Sequence, residues 1–160
     1  MQIRFAQSED VGGILNLLRQ VGRVHHLGRP DLFRSNAQKY GASQVLAMLE
    51  NPATPIFVAV DGEKVLGYCF CQVKDHALDS VLNGFTELYI DDLCIEESLR
   101  GQHIGTALFE QVRRYAKMRR CYNITLNVYS CNKSALRFYE SLGMQVQKIG
   151  MEMLLEEEKC

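Results

Sequence analysis

The stretch from Phe85 to Tyr129 constrains the fold more than any other part of the chain. Phe85 to Ile95 is a long strand-like run, and a glycine-bearing turn follows it. From Ile104 to Arg120 the apolar residues Ile104, Ala107, Leu108, Val112 and Tyr115 or Ala116 recur at helical spacing. Asn123 to Tyr129 then reads as a second strand. A strand, a crossover helix and a strand in this order predict two parallel neighbours in one sheet, because a tight hairpin cannot return the chain in the same direction.

The rest of the chain is read around this unit. Met1 to Gln7 alternates apolar and polar residues and predicts a first strand. Ser8-Glu9-Asp10 is a helix start with Ser8 or Asp10 as cap. Val11, Ile14, Leu15, Leu17, Leu18 and Val21 give an amphipathic helix ending near Gly22. Arg23 to Tyr40 reads as a long loop, and a second helix spans Ala42 to Glu50 before Asn51-Pro52. Pro55 to Val60 and Val65 to Val73 are strands joined at Asp61-Gly62. Ser134 to Leu142 is a short helix stopped by Gly143. Gly150 to Leu155 is a last strand, with a polar tail from Glu156 to Cys160. The predicted order is β-α-α-β-β-β-α-β-α-β, one mixed α/β domain over residues 1–160 with no repeat or linker. At 47% hydrophobic residues the chain can bury a core of its own.

Charge and cysteine content exclude several classes. Eighteen Lys and Arg against 19 Asp and Glu leave a net charge of -1, which argues against a protein built to grip nucleic-acid phosphates. Arg113, Arg114, Lys117, Arg119 and Arg120 alternate around a helix and read as its solvated face. No apolar run approaches the roughly 18 residues of a membrane span, and Met1 to Asp10 lacks a signal-like apolar stretch. The expectation is a soluble, cytoplasmic protein without membrane or nucleic-acid partners. The six cysteines, Cys69, Cys71, Cys94, Cys121, Cys131 and Cys160, form no C-x-x-C pair and have no histidine at zinc-finger spacing. They are expected as free, buried thiols, with Cys69 and Cys71 on one sheet face and no metal ligand set.

The turn Arg100-Gly101-Gln102-His103-Ile104-Gly105 joins a strand to a helix. A helix N-terminus presents unpaired N–H groups and a positive dipole end, so it accepts an anion, typically a phosphate. Gly101 and Gly105 remove side chains so that a ligand can approach the backbone, and Arg100 adds positive charge. The turn fits neither the P-loop nor the dinucleotide fingerprint. A second constellation follows the next strand: Asn132-Lys133-Ser134-Ala135-Leu136-Arg137-Phe138-Tyr139-Glu140-Ser141-Leu142-Gly143-Met144.

Together the two stretches resemble the GNAT superfamily of acyl-CoA-dependent N-acyltransferases. Its phosphate motif is Arg or Gln, two residues, Gly, one residue, then Gly or Ala; Arg100 to Gly105 follows it except at His103, which stands where glycine is usual. With helical φ a Cβ at His103 is sterically allowed, and its imidazole is expected to face solvent. Asn132 to Met144 follows the second motif throughout. The order of elements also agrees, so the resemblance spans nearly the whole chain. It implies a mixed, mostly antiparallel sheet with a splayed parallel pair and flanking helices.

The resemblance also implies an activity: acetyl-CoA and a primary amine meet in a ternary complex, and the amine attacks the thioester directly. It places the cosubstrate on Leu93, Cys94 and Ile95 by backbone pairing, on Arg100, Gly101, Gln102, His103, Ile104, Gly105 and Thr106 at the phosphates, and on Asn132, Ser134 and Tyr139. Tyr139 would be the general acid for the leaving thiolate. Of the adjacent pair, Phe138 is the better core residue. For the base, Glu87, Tyr89 and Asp91 share one strand face with Asp92 on the other, unless a bulge changes the parity. Asp91 is the first choice, then Glu87, then Asp92; the equivalent strand of polyamine acetyltransferases carries a similar acidic pair. The alternative is that these carboxylates only attract a cation or pair with Arg or Lys at the sheet edge. The acceptor pocket is expected in the Arg23–Tyr40 loop, with His25, His26, Arg29 and Asp31 as candidates; His26 and Arg29 join Asp91 and Asp92 as expected substrate contacts. A small cationic amine is the expected acceptor and a peptide or protein amine the alternative. A catalytically weak acyl-CoA-binding module is the reading from a different class. A homodimer is in keeping with the family.

Overall fold

The structure is a computed structural model that describes residues 1–155; the expected tail at 156–160, with Cys160, lies outside the described residues. Its strands are β1 (Gln2–Phe5), β2 (Ile56–Asp61), β3 (Lys64–Asp75), β4 (Thr86–Ile95) and β5 (Asn123–Leu126), and they form one sheet in that order. The first three pairings are antiparallel and the last is parallel. The parallel pair is the one the crossover predicted, and the helix of that crossover is Ile104–Met118.

Among the described residues four α-helices cover the sheet: α1 (Val11–Gly28), α2 (Ala42–Leu49), α3 (Ile104–Met118) and α4 (Lys133–Ser141). Alternation along the strands sends side chains to two separate cores. On one face Ile14, Leu17 and Leu18 of α1 and Val45 of α2 pack on Ile56, Val58, Tyr68 and Phe70. On the other, Leu108, Phe109 and Val112 of α3 pack on Phe57, Cys69, Cys71, Leu88 and Ile90. Arg113, Arg114 and Lys117 lie on the exposed side of α3, as their spacing predicts.

Three local differences from the expected elements have physical causes. The first helix does not end at Gly22 but continues to Gly28, so His25 and His26 are helical. A Cβ at Gly22 would lie 2.0 Å from the carbonyl oxygen of Ala37. The glycine therefore serves close backbone approach, not termination. Asp10 does not cap α1: its buried carboxylate accepts the Gln7 N–H at 2.8 Å and a forked pair from Arg4 at 2.6 and 3.0 Å. The strand expected at Gly150–Leu155 is absent: its apolar alternation is present, but no ladder forms there. Ile149, Met151 and Leu155 are exposed, and Glu152 is held by Arg29.

The five described cysteines are free. Cys69 and Cys71 lie side by side in the α3 core with 3.7 Å between sulfurs. Cys131, against expectation, is exposed; it sits at a turn that Gly28 abuts. Among the described residues no helix is long and apolar enough to cross a membrane, and no group of three His, Cys, Asp or Glu is placed to hold a metal ion.

Candidate active site

The site begins where the parallel pair parts. β4 and β5 are in register from Glu87↔Asn123 to Ile90↔Leu126. β5 ends there, three residues earlier than its sequence suggests, while β4 runs on to Ile95 with β3 on its other side. From Asp91 to Ile95 one edge of β4 thus carries no ladder partner among the described residues. A strip of unpaired peptide groups of this kind offers hydrogen bonds to any extended polar chain laid along it. Leu93, Cys94 and Ile95 all lie on this strip. The Cys94 thiol itself is turned into the α1 core against Leu17, and burial pushes its pKa up to about 12.

Past Ile95 a short helical turn (Glu97–Leu99) leads to Arg100 and then to α3. Gly101 has φ +79°, a conformation that glycine adopts without strain. His103, the residue before the helix, has φ 61°. This corrects the expectation of a helical φ: the backbone is left-handed, which explains why a glycine is usual there, and a histidine holds it at a cost. The side chain is exposed, as expected. The first helical bond runs from Ala107 N–H to the His103 carbonyl, which leaves the N–H groups of Ile104, Gly105 and Thr106 without an intrahelical acceptor. Gln102 and Arg100 border these groups in the exposed turn, and Arg100 also donates to the Ile95 carbonyl at 3.3 Å. Gly105 has a second reason to be glycine: a Cβ would lie 3.1 Å from the Phe138 ring and 3.6 Å from Ile95.

α4 brings the second motif to the same region. The Asn132 side chain accepts the Ala135 N–H at 3.1 Å and caps the helix, with exposed Ser134 in the first turn. Tyr139 packs against the α3 core beside Phe109, while Phe138 lies over Gly105. Of the adjacent pair it is Tyr139, and not the expected Phe138, that is seated on the α3 core. Burial, with Cys69 and Asp92 nearby, pushes its phenol well above the ordinary value, so it stays protonated at neutral pH.

The carboxylates meet on the opposite face of β4. Phe70 pairs with Asp92 and Cys71 with Ile90, so Asp91 is a bulge residue without a partner on β3. The extra residue resets the alternation. Leu88 and Ile90 face the α3 core, yet Cys94 faces the α1 core, and Asp91 and Asp92 both turn toward the α1 side. The uniform parity that separated them does not hold. Asp91 accepts the Tyr40 hydroxyl at 2.6 Å and the Lys39 ammonium at 2.8 Å. Asp92 accepts the Tyr68 hydroxyl at 2.8 Å. Burial raises the Asp92 carboxyl, and the Tyr68 hydrogen bond and the Lys39 charge offset this only in part. Glu87, lower on the strand, is engaged elsewhere: Thr125 donates to it at 2.6 Å, and His76 and Lys74 stand 3.5 and 3.9 Å away.

Loop residues divide differently from expectation. Arg29 forks onto Asp31 and Glu152, and the His26 ring meets the Phe33 carbonyl at 2.7 Å; both hold the 29–39 segment in shape. His25, one residue earlier, stacks edge-on with Phe33 and Tyr129. Lys39, Tyr40 and Tyr68 contact the carboxylates directly and escaped the sequence reading. The signal available was that Lys39 and Tyr40 close the predicted loop, immediately before the second helix.

A turn able to hold phosphates, an open strand edge and an acidic bulge thus converge on one region. Against known proteins the chain matches the acetyltransferase (GNAT) family over residues 23–144. It is 26% identical to a thialysine N-epsilon-acetyltransferase of Mus musculus over 90% of this chain and 84% of that protein. It is 34% identical to an N-alpha-acetyltransferase 30 of Schizosaccharomyces pombe over 54% of this chain and 55% of that protein. Among solved structures, a mutant BH1408 protein from Bacillus halodurans superposes with TM-score 0.92 at 35% identity, covering 98% of this chain and all of that one. With the family match covering most of its length, the chain belongs to the acetyltransferase (GNAT) family and is an acetyl-CoA-dependent N-acetyltransferase.

Proposed function

We propose that the protein acetylates a primary amine on a small cationic molecule, bound on the α1 side of β4 by Asp91 and Asp92. The observation that carries this reading is the β4 bulge, which turns two adjacent carboxylates toward the acceptor side at the residue where β5 departs. Acetyl-CoA supplies an acetyl group activated as a thioester. The residues fit it on two counts: the open edge of β4 suits an extended amide-bearing arm, and the N–H groups of Ile104, Gly105 and Thr106 suit a pyrophosphate. Arg100, Gly101, Gln102 and His103 form the approach to that turn, and Asn132 and Ser134 flank the arm from α4.

The acceptor amine is an ammonium at neutral pH and must lose a proton before it attacks. Asp91 meets the cation, and Asp92, whose carboxyl is raised by burial, shares the proton. Tyr139 holds a proton for the departing sulfur, a role that suits a phenol kept neutral by burial. Glu87, bound to Thr125, secures β4 to β5 and lies outside this pair. Arg29 and His26 shape the acceptor loop without touching the amine.

A peptide amine is the second reading, favoured by the likeness to an N-alpha-acetyltransferase over half of the chain. Thiol release from acetyl-CoA, measured across matched small diamines, amino acids and peptides, tests both. Faster release with the small cations supports the first reading; faster release with peptide N-termini replaces it. Acetyl-CoA binding without thiol release for any amine would leave only a binding module.

A further inference from the structure

The acceptor carboxylate already carries an amine. Lys39 sits at the end of the loop between α1 and α2, and its Nζ lies 2.8 Å from Asp91 Oδ2 and 3.0 Å from the Asp91 backbone oxygen. The same Nζ lies 5.5 Å from the centre of the Tyr40 ring, whose hydroxyl holds the same carboxylate. Asp91 is nearly buried, with its side chain 9% exposed, so the lysine reaches it from the solvent side, itself 44% exposed. The carbonyl it touches belongs to the first residue beyond the last β4–β5 pair, at the mouth of the gap. A primary alkyl ammonium, a carboxylate that orders it and the open strand edge are thus assembled within one chain.

We propose that Lys39 is an internal acceptor: the protein acetylates its own Lys39 Nζ from acetyl-CoA. The inference rests on the placement of the acetyl donor along β4 proposed above. Lys39 reacts as the free amine after losing one proton through Asp91 to solvent. The Nζ–carbonyl bond forms as the carbon–sulfur bond breaks, and the second Nζ proton goes to the sulfur. The products are the Lys39 amide, free CoA thiol and one released proton, with no further reagent required. The amide carries no positive charge, so acetylation ends the ion pair and frees Asp91 for an external cation. Lys39 is thereby a one-time switch on the acceptor site.

Two measurements test this. In the first, without acetyl-CoA, a carbodiimide joins amines to carboxylates in direct contact. A Lys39–Asp91 crosslink in the peptide map is expected; a map in which Lys39 links only elsewhere or not at all overturns the proposal. In the second, the folded chain is incubated with acetyl-CoA, and acetylation is mapped at every lysine beside a heat-denatured control. Enrichment at Lys39 over Lys74, Lys117 and Lys148 by about tenfold or more is expected, absent from the control and reduced in Tyr139→Phe. Uniform labelling, or equal labelling of the denatured chain, shows chemical acylation and overturns the idea. An unlabelled Lys39 beside brisk acetylation of an added amine overturns it while leaving the proposed function intact. An unlabelled Lys39 with no thiol release to any amine overturns both.

Discussion

Tyr139 is packed against the α3 core, and burial keeps its phenol protonated well beyond neutral pH. Tyr139→Phe keeps the ring and removes only the proton, so turnover is expected to fall by roughly 10²-fold while acetyl-CoA binding changes little. A thiolate of pKa near 8.5 leaves without full protonation, so an impaired enzyme is expected, not a dead one. Full turnover in this variant would remove Tyr139 from the mechanism. Asp91→Asn acts on the other reactant: the amine must then shed its proton unaided, and the rate–pH profile should move to higher pH. An unmoved profile assigns proton removal to another group. Asp92 gives a stability readout. Its carboxyl is raised by burial, so its contribution to folding is fully present below the unfolded value and is lost as pH rises through the folded one. Asp92→Asn removes the group that burial disfavours as a charge, and should raise Tm by roughly a few degrees while slowing catalysis. A lower Tm would mean that the Tyr68 hydrogen bond needs the charge. Of these groups, Tyr139 and Asp91 could be pointed to by the resemblance of their local stretches to the family pattern. Lys39 and Tyr40 could not, because their bonds to Asp91 join residues 52 and 51 positions apart and depend on how the loop folds back over the sheet.

The turn into α3 presents the N–H groups of Ile104, Gly105 and Thr106 without an intrahelical acceptor, so acetyl-CoA bound there should raise Tm at millimolar concentration. Absence of any shift would contradict the assignment of this turn. His103→Gly separates the backbone of the turn from its side chain. A left-handed histidine costs about 1–2 kcal/mol, and glycine returns part of that as unfolded-state entropy. A net gain of up to about 1 kcal/mol, roughly 2–4 °C in Tm, is expected with the acetyl-CoA shift unchanged. A diminished shift would show that the imidazole contacts the cosubstrate. The crossover around this turn was legible because a helical period sits between two strand-like runs. Two other elements were misread for reasons of packing. Gly22 resembles a helix stop, yet it is small because the Ala37 carbonyl rests on it. The alternation of Ile149, Met151, Met153 and Leu155 resembles a strand, but alternation does not supply a ladder partner. The bulge at Asp91 leaves no mark in composition, and it alone decides that both aspartates face the α1 side.

Across the molecule, the two cores are joined to the site by a sheet whose first strand is fastened by charge. Arg4 of β1 grips Asp10, 4% exposed, just before α1. Burial alone would raise the Asp10 carboxyl, but the Arg4 hydrogen bonds, the Gln7 N–H and the Arg4 charge outweigh it and leave it below the usual range. A carboxylate lowered in the folded state contributes stability above its unfolded pKa, near 3.9, and loses that contribution as pH falls through the folded value. Asp10 and Asp92 therefore act with opposite signs: acid weakens the β1–α1 clasp while relieving the buried aspartate at the site. In wild type, stability should decline below about pH 4, where the unfolded chain takes up the proton that folded Asp10 resists. Asp10→Asn keeps the size but loses the charge-assisted fork, at a cost of about 2 kcal/mol near neutrality. The variant should also lose less on acidification, so the two denaturation curves converge toward low pH. Urea unfolding at a series of pH values measures both curves. A constant gap between them would show that Asp10 titrates alike in the folded and unfolded chains and that the clasp is held by packing, with the acid loss arising at other lowered carboxylates such as Asp79.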